Sequence, residues 1–374
     1  MSTALQREFG LRLPLWGFSY EPRVVAAISR EGGFGVLGCL RYGGDADEMR
    51  DGIRQVEAEA GGRPFGVNVV MPVSSRQVDA GLDELESSLD ALIPQEHRDF
   101  VEQFLVEHDV PPLPESERDG VRGVLGWTPQ TGAVQLEVAL DHDIALLASA
   151  LGPPPEDAVR AAHERDLPVS ALVGRVDQAR TQRARGVDII IAQGTEAGGH
   201  TGEIGGMVLT PEVVDAVDAP VLHAGGVASG RQMAAAVALG AQGAWTGSLW
   251  LTATEMGLHE ATLELLREAE AADTLRSKSL TGKPGRMLRT PWTEAWERPD
   301  TPDPLPMPLQ FLLTSEATSR FRAAGRYDLL GTPVGQIVGA LDSQQQVHAI
   351  IDRLDREYRE AVARLATAVE GAGT

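Results

Sequence analysis

Residues 187–206 read VDIIIAQGTEAGGHTGEIGG. Ile189, Ile190, Ile191 and Ala192 run without a polar break and stop at Gln193. Six of the fourteen residues from Gln193 to Gly206 are glycine, and one histidine, His200, sits among them. A short β-branched run closed by glycine predicts a strand buried on both faces, the kind that fills a parallel sheet. The glycine-rich segment is then a loop at the carboxyl end of that strand. What the loop is for depends on how many strands stand beside it.

Outward from this stretch the same pattern recurs. Eight strands are predicted: LRLPLWGF (11–18), FGVLG (34–38), FGVNVVM (65–71), IALLAS (144–149), PVSALVG (168–174), VDIIIAQG (187–194), APVLHAGG (219–226) and GAWTGSLWL (243–251). Helical patterns fill most of the gaps: EPRVVAAISREG, DADEMRDGIRQVEAEAG, PEDAVRAAHERD, VDQARTQRARG, TPEVVDAVD and SGRQMAAAVALGA. Strands alternating with helices are the mark of βα units. Eight of them match a (β/α)8 TIM barrel of the α/β class, whereas an open doubly wound sheet usually carries five or six.

Two regions exceed a minimal barrel. Residues 72–143 form an expected helical insertion after strand 3, with VDAGLDELESSLDALI (78–93), EHRDFVEQFLVEHD (96–109) and a Pro-rich joint, PPLPESE. Residues 252–374 form an expected helical C-terminal cap or extension, with a connector, RPDTPDPLPMPLQ, and a charged final helix from Ser343. The barrel itself spans 1–251, and part of the extension is expected to reach over its mouth.

The 374 residues carry a net charge of −21, and Lys278 and Lys283 are the only lysines. Such a chain repels nucleic acid and anionic membranes, so neither is an expected partner. No apolar run approaches the ~18 residues of a membrane helix, and the N-terminus lacks a signal-peptide pattern, so a cytoplasmic protein is expected. The single cysteine, Cys39, in GGFGVLGCL, excludes an intrachain disulfide and reads as a buried strand end. No histidine–carboxylate spacing argues for a metal.

A barrel places its site at the carboxyl ends of the strands. Gly225 and Gly226 after strand seven, with Ser229 as helix N-cap, and Gly247 and Ser248 after strand eight offer small residues and free amides. These loops are the usual phosphate cradle, where backbone donors and a helix dipole meet a dianion; the alternative is two tight turns. Asn68 can bond a heterocycle or a ribityl hydroxyl from a strand end, or form a turn. Gln193 can meet a flat ligand edge. His200 can serve as acid, base or donor at neutral pH, or lie exposed on its loop. Glu196 either orients His200 or caps the loop. His97, His108, His163, His259 and His348 read as surface helix residues, His142 as barrel bottom, and His223 as core or mouth. The basic stretch KSLTGKPGRMLRTPW is either a loop folded toward an anionic ligand or a plain connector.

QGTEAGGHTG resembles the signature AQGxEAGGHxG of the nitronate monooxygenase (2-nitropropane dioxygenase) family, which are FMN-dependent TIM barrels. HAGGVASGRQMAAAVALGAQGAWTGSLWL, LPLWGFSYEPRVVAAISREGGFGVLG, FGVNVV and SKSLTGKPGRMLRTPW follow the family pattern. The resemblance implies that Asn68, Gln193 and Gly198 contact FMN, and that Gly225, Gly226, Trp245, Thr246, Gly247 and Ser248 hold its phosphate end. It implies His200 as the catalytic histidine. The expected reaction is oxidation of an alkyl nitronate with O2 to a carbonyl compound and nitrite. Type II FMN-dependent enoyl-ACP reductases share the signature, so an NAD(P)H-dependent FMN reductase acting on enoyl thioesters or quinones is the alternative. There Arg286 and Arg289, near Lys278 and Lys283, would supply a basic patch for an acidic carrier protein. WGFSY after strand one and the long 72–143 segment depart from the family pattern. A homodimer is compatible with these readings.

Overall fold

A computed structural model describes residues 2–71, 88–114 and 128–371. The strands are β1 Leu15–Ser19, β2 Phe34–Gly38, β3 Phe65–Val70, β4 Leu146–Ala150, β5 Val169–Val173, β6 Ile189–Gln193, β7 Gly199–His200, β8 Val221–Ala224, β9 Gly243–Thr246, β10 Thr274–Ser277 and β11 Gly285–Leu288. Eight of them, in the order β1-β2-β3-β4-β5-β6-β8-β9, form a closed barrel. The seam is the parallel pairing of β9 with β1, in register Leu15↔Ala244 and Gly17↔Thr246. The (β/α)8 TIM barrel read from the strand count is the fold. β1 starts later than its apolar run because Pro14 has no N–H for the ladder; it only accepts, at its carbonyl, from Ala244 N at 2.8 Å.

Side chains alternate strictly across these strands. Trp16, Phe34, Val36, Leu146, Ala148, Ile189, Ile191, Leu222 and Trp245 fill the barrel interior. Leu37, Val67, Val69, Leu147, Ala171, Ile190 and Ala192 face the helices. The floor is closed by helix Ala4–Glu8, unforeseen in the sequence, which delivers Leu5 and Phe9 beneath Trp16 and Phe34. The Phe9 ring meets both edge-on at 5.3 and 5.0 Å. Thr3 caps this helix and its hydroxyl donates to Gln242 O at 2.7 Å.

The outer ring holds Pro22–Arg30, Ala46–Glu59, Pro129–Leu140, Glu156–His163, Val176–Ala184, Gly206–Ala216 and Gly230–Ala238. Pro129–Leu140 lies within the segment read as an insertion, yet it packs on β3 and on Ala46–Glu59; Gln135 Nε2 donates to Cys39 O and Gly43 O. The eighth place is taken from far along the chain. Val347–Gly371 lies against Gly230–Ala238 and Pro22–Arg30, and Ile350, Ile351 and Leu354 share a core with Val24, Ile28 and Met233. A Cβ on Gly230 would stand 2.2 Å from Leu354 O, so glycine is required where the two helices cross.

Helix Gln95–Glu107 is present, whereas 78–87 and 115–117, parts of the acidic stretch and the Pro-rich joint, lie outside the described residues. It packs on helix Leu309–Ala323, around Phe104, Leu105, Trp292, Trp296, Leu313 and Phe321. His97, read as surface, is buried there with Nε2 against Asp303 O at 3.0 Å. Beyond residue 251 the chain is not only helical: β10 and β11 pair antiparallel, and β11 pairs with β7 through Gly285↔His200.

Candidate active site

The strand alternation that fills the barrel also decides what its mouth presents. Inward residues at or near the carboxyl ends of seven strands line one cleft: Phe18, Asn68, Ala150, Leu172, Gln193, Ala224 and Trp245. In the eighth strand that place is Gly38, where a Cβ would stand 2.7 Å from the Phe18 and Tyr20 rings. The cleft encloses about 130 Å³, with about 670 Å³ empty out to its open mouth. Asn68 is buried, and neither its amide nor that of Gln193 has a hydrogen-bond partner among the described residues. Gln193 is half-buried, and both amides are available to bond a polar ligand in the cleft.

The wall beside them is built from the loops after β8 and β9. Gly225 and Gly226 have φ of 100° and 71°, and a Cβ on Gly225 would meet Ala197 N at 3.1 Å. The backbone N–H groups of Gly226, Val227, Gly247 and Ser248 make no hydrogen bond among the described residues, and all four residues line the cleft. His223 sets this conformation from behind. Its Nε2 lies 2.9 Å from Gly225 O, which can only accept, so the proton is on Nε2. Nδ1 then accepts from Thr210 Oγ1 at 2.7 Å, and burial holds the ring below its ordinary pKa.

Ser229 is the expected N-cap, accepting from Gln232 N, but the terminus of that helix is already taken. Gly230 N donates to Glu357 Oε2 at 2.8 Å, so the loop amides, rather than the helix dipole, face the cleft. The Thr246 side chain also turns away: it donates to Trp16 O and accepts from Trp250 Nε1, and Thr246 lines the cleft only beside them.

The third wall is the stretch QGTEAGGH. Both Glu196 carboxylate oxygens accept from Gly206 N at 2.9 Å, which starts helix Gly206–Ala216 four residues before the sequence reading placed it. Glu196 therefore caps that helix. Gly198 meets a strap from beyond the barrel: a Cβ on it would lie 2.7 Å from Gly335 N and 2.9 Å from Ser248 Oγ. Gly335 N donates to Ser248 Oγ and Gln336 N to Glu196 O, so the strap is tied to two walls of the cleft at once.

Nine of the ten residues singled out in the sequence thus line one cleft: Asn68, Gln193, Gly198, Gly225, Gly226, Trp245, Thr246, Gly247 and Ser248. His200 stands apart from the lining. Its ring is largely buried, with Nε2 2.7 Å from Thr281 Oγ1, and burial, reinforced by Lys283, lowers its pKa to about 4. The basic stretch is not a plain connector: it folds back onto β7 and braces this ring. Arg286 is buried and donates to Thr195 O at 2.7 Å and to Thr274 Oγ1 at 3.1 Å, so it contributes nothing to a surface patch. Phe18, Ala150, Leu172 and Ala224 were legible from strand parity; Gly335 and Ile337 carry no local signal, because they reach the cleft from a separate segment.

A family model described as nitronate monooxygenase matches residues 3–357. The Mycobacterium tuberculosis protein Rv1533, named as a monooxygenase, is similar at 44% identity over 372 residues, 98% of each chain. A Bacillus subtilis protein named as a nitronate monooxygenase is 26% identical over 357 residues, 93% of this chain and 95% of that one. Among solved structures, nitroalkane oxidase from Streptomyces ansochromogenes superposes with a TM-score of 0.75 at 27% identity, covering 97% of this chain and all of that one. FabK from Thermotoga maritima shares the fold, with a TM-score of 0.72 at 24% identity over 98% and 99% of the two chains. On a match that spans almost its whole length, the chain belongs to the nitronate monooxygenase family.

Proposed function

We propose that the cleft binds FMN and that the enzyme oxidises alkyl nitronates with O2 to a carbonyl compound and nitrite. The observation that carries this reading is the donor set: four unpaired loop amides on one wall and two unpaired carboxamides on the floor. Such a surface suits a flat polar heterocycle at one end and a phosphate at the other, with no lysine required. Asn68 and Gln193 would bond the ring edge, Trp245 and Leu172 would flank it, and the amides of Gly226, Val227, Gly247 and Ser248 would hold the phosphate. FMN supplies the electron transfer between nitronate and O2. Overall, two nitronates would share one O2: each carbon–nitrogen bond breaks, each carbon takes one of the two oxygen atoms, and two nitrites leave with their own oxygens.

His200 has a definite part in this reading. With a pKa near 4 it is neutral at pH 7 and a weak base, poorly matched to removing a proton from a neutral nitroalkane. A neutral imidazole fixed by Thr281 suits a substrate that arrives already deprotonated, which is what a nitronate is. From behind the lining, with Nε2 accepting from Thr281, it would offer the Nδ1 proton to the developing charge. A visible spectrum of the purified protein, followed by anaerobic additions, tests the reading. Bound FMN that a nitronate reduces and NADPH does not is the expected result. Protein that stays colourless with added FMN, or flavin bleached at once by NADPH and inert to nitronate, overturns it.

A further inference from the structure

Behind the brace that holds His200 lies a second cavity, larger than the cleft, enclosing about 510 Å³. That lies within the ~300–1,000 Å³ usual for small-molecule sites. Its body is apolar, formed by Leu280, Met287, Trp292, Phe321 and Leu330, the last four of them buried. About one residue in seven of the chain is acidic, yet no carboxylate lines this space. Its one permanent charge is Arg322, an exposed residue at the opening, whose guanidinium has no ion-pair or hydrogen-bond partner among the described residues. Thr318 stands four residues earlier on helix Leu309–Ala323, hence on the same face, and its hydroxyl is also unpartnered among those residues. His259, stacked on Tyr327 at 4.2 Å, completes the polar side.

We infer that this cavity is a binding site for a medium-chain carboxylate, with the hydrocarbon among Leu280, Met287, Trp292, Phe321 and Leu330 and the head group on Arg322 and Thr318. Other occupants fit the chemistry less well. A neutral hydrocarbon leaves the guanidinium unused, and a cation would be set against it. In a chain of net charge −21, a lining free of carboxylates puts no like charge in direct contact with an anion. The wall is shared with the redox site: Leu280 precedes Thr281, which holds His200, and Pro333 precedes the strap that carries Gly335. The inference does not depend on the nature of the flavin or on its substrate.

Calorimetric titration of decanoate into the full-length, flavin-saturated protein, below the micellar concentration, is the test. One saturable site per chain is expected, with a negative heat-capacity change from apolar burial. Arg322→Gln should weaken decanoate at least tenfold while decanol binds both proteins alike. Thr318→Phe, which fills the space beside the head group, should abolish both at an unchanged melting temperature. Absence of saturable binding to the unmodified protein, or equal decanoate affinity in Arg322→Gln, overturns the assignment. So does decanoate binding to Thr318→Phe as to the unmodified protein.

Discussion

A histidine whose pKa falls to about 4 on folding links the stability of the molecule to acid. In the unfolded chain the same ring titrates near 6.5, so below that pH the unfolded state takes up a proton that the folded state refuses. The contribution of His200 is complete above pH 6.5 and is lost as pH falls from 6.5 toward 4. Carboxylates elsewhere also protonate in part of this window, so the measurement is a difference. Between pH 6.5 and 4.5 the unmodified protein should lose about 2 kcal/mol relative to His200→Gln, which keeps a partner for Thr281 and cannot titrate. Parallel stability curves for the two proteins would refute the buried, neutral ring. At this scale much of the site was legible in the sequence. Asn68 and Gln193 stand out as carboxamides ending β-branched strands. His223 did not, because its work is done behind the loop, where only the fold shows that it touches Thr210 and Gly225.

The strap and the β6 loop meet through two glycines. Gly335 has as little room as Gly198, since a Cβ on it would stand 2.6 Å from Glu196 O. Backbone lies against backbone on both sides, so neither can yield as a side-chain tip would. Gly198→Ala should therefore push the strap off the cleft. The expected cost is about 1–3 kcal/mol of stability and at least a tenfold loss of flavin affinity, read by melting temperature and by quenching of flavin fluorescence. Flavin affinity unchanged from the unmodified protein would mean that the strap takes no part in the site. The sequence shows the glycines but not this reason for them. Its barrel strands announce themselves through apolar runs. β7 is two residues long and exists only because β11 arrives to pair with it, so no local pattern records it.

Across the whole molecule, the segment after β3 and the chain after β9 share an apolar cluster, and one buried arginine adds several hydrogen bonds between them. Arg320 is 4% exposed; it donates to Pro111 O at 3.0 Å, to Val110 O at 2.9 Å and to Glu102 at 2.7 Å. Glu102 is exposed, so that ion pair is weak, whereas the buried Val110 carbonyl, left without a donor beside the part-buried Pro111 carbonyl, is costly. Arg320→Met should lose about 2–4 kcal/mol and Glu102→Gln less than about 1 kcal/mol, as read by calorimetric unfolding. Equal losses would show that the ion pair, not the carbonyls, matters. The barrel was legible because eight strands repeat one local pattern; this joint, and the helix Val347–Gly371 in the eighth place of the ring, depend on contacts between distant segments. That placement bears on the order of synthesis. The cleft floor is complete once Trp245 has been made, but Gly335 and the last helix of the ring leave the ribosome afterwards. At roughly 5–20 residues per second, a nascent chain spends on the order of ten seconds with QGTEAGGH translated and its strap absent. The complete cleft of this scaffold thus exists only once the chain has been made through Ile337.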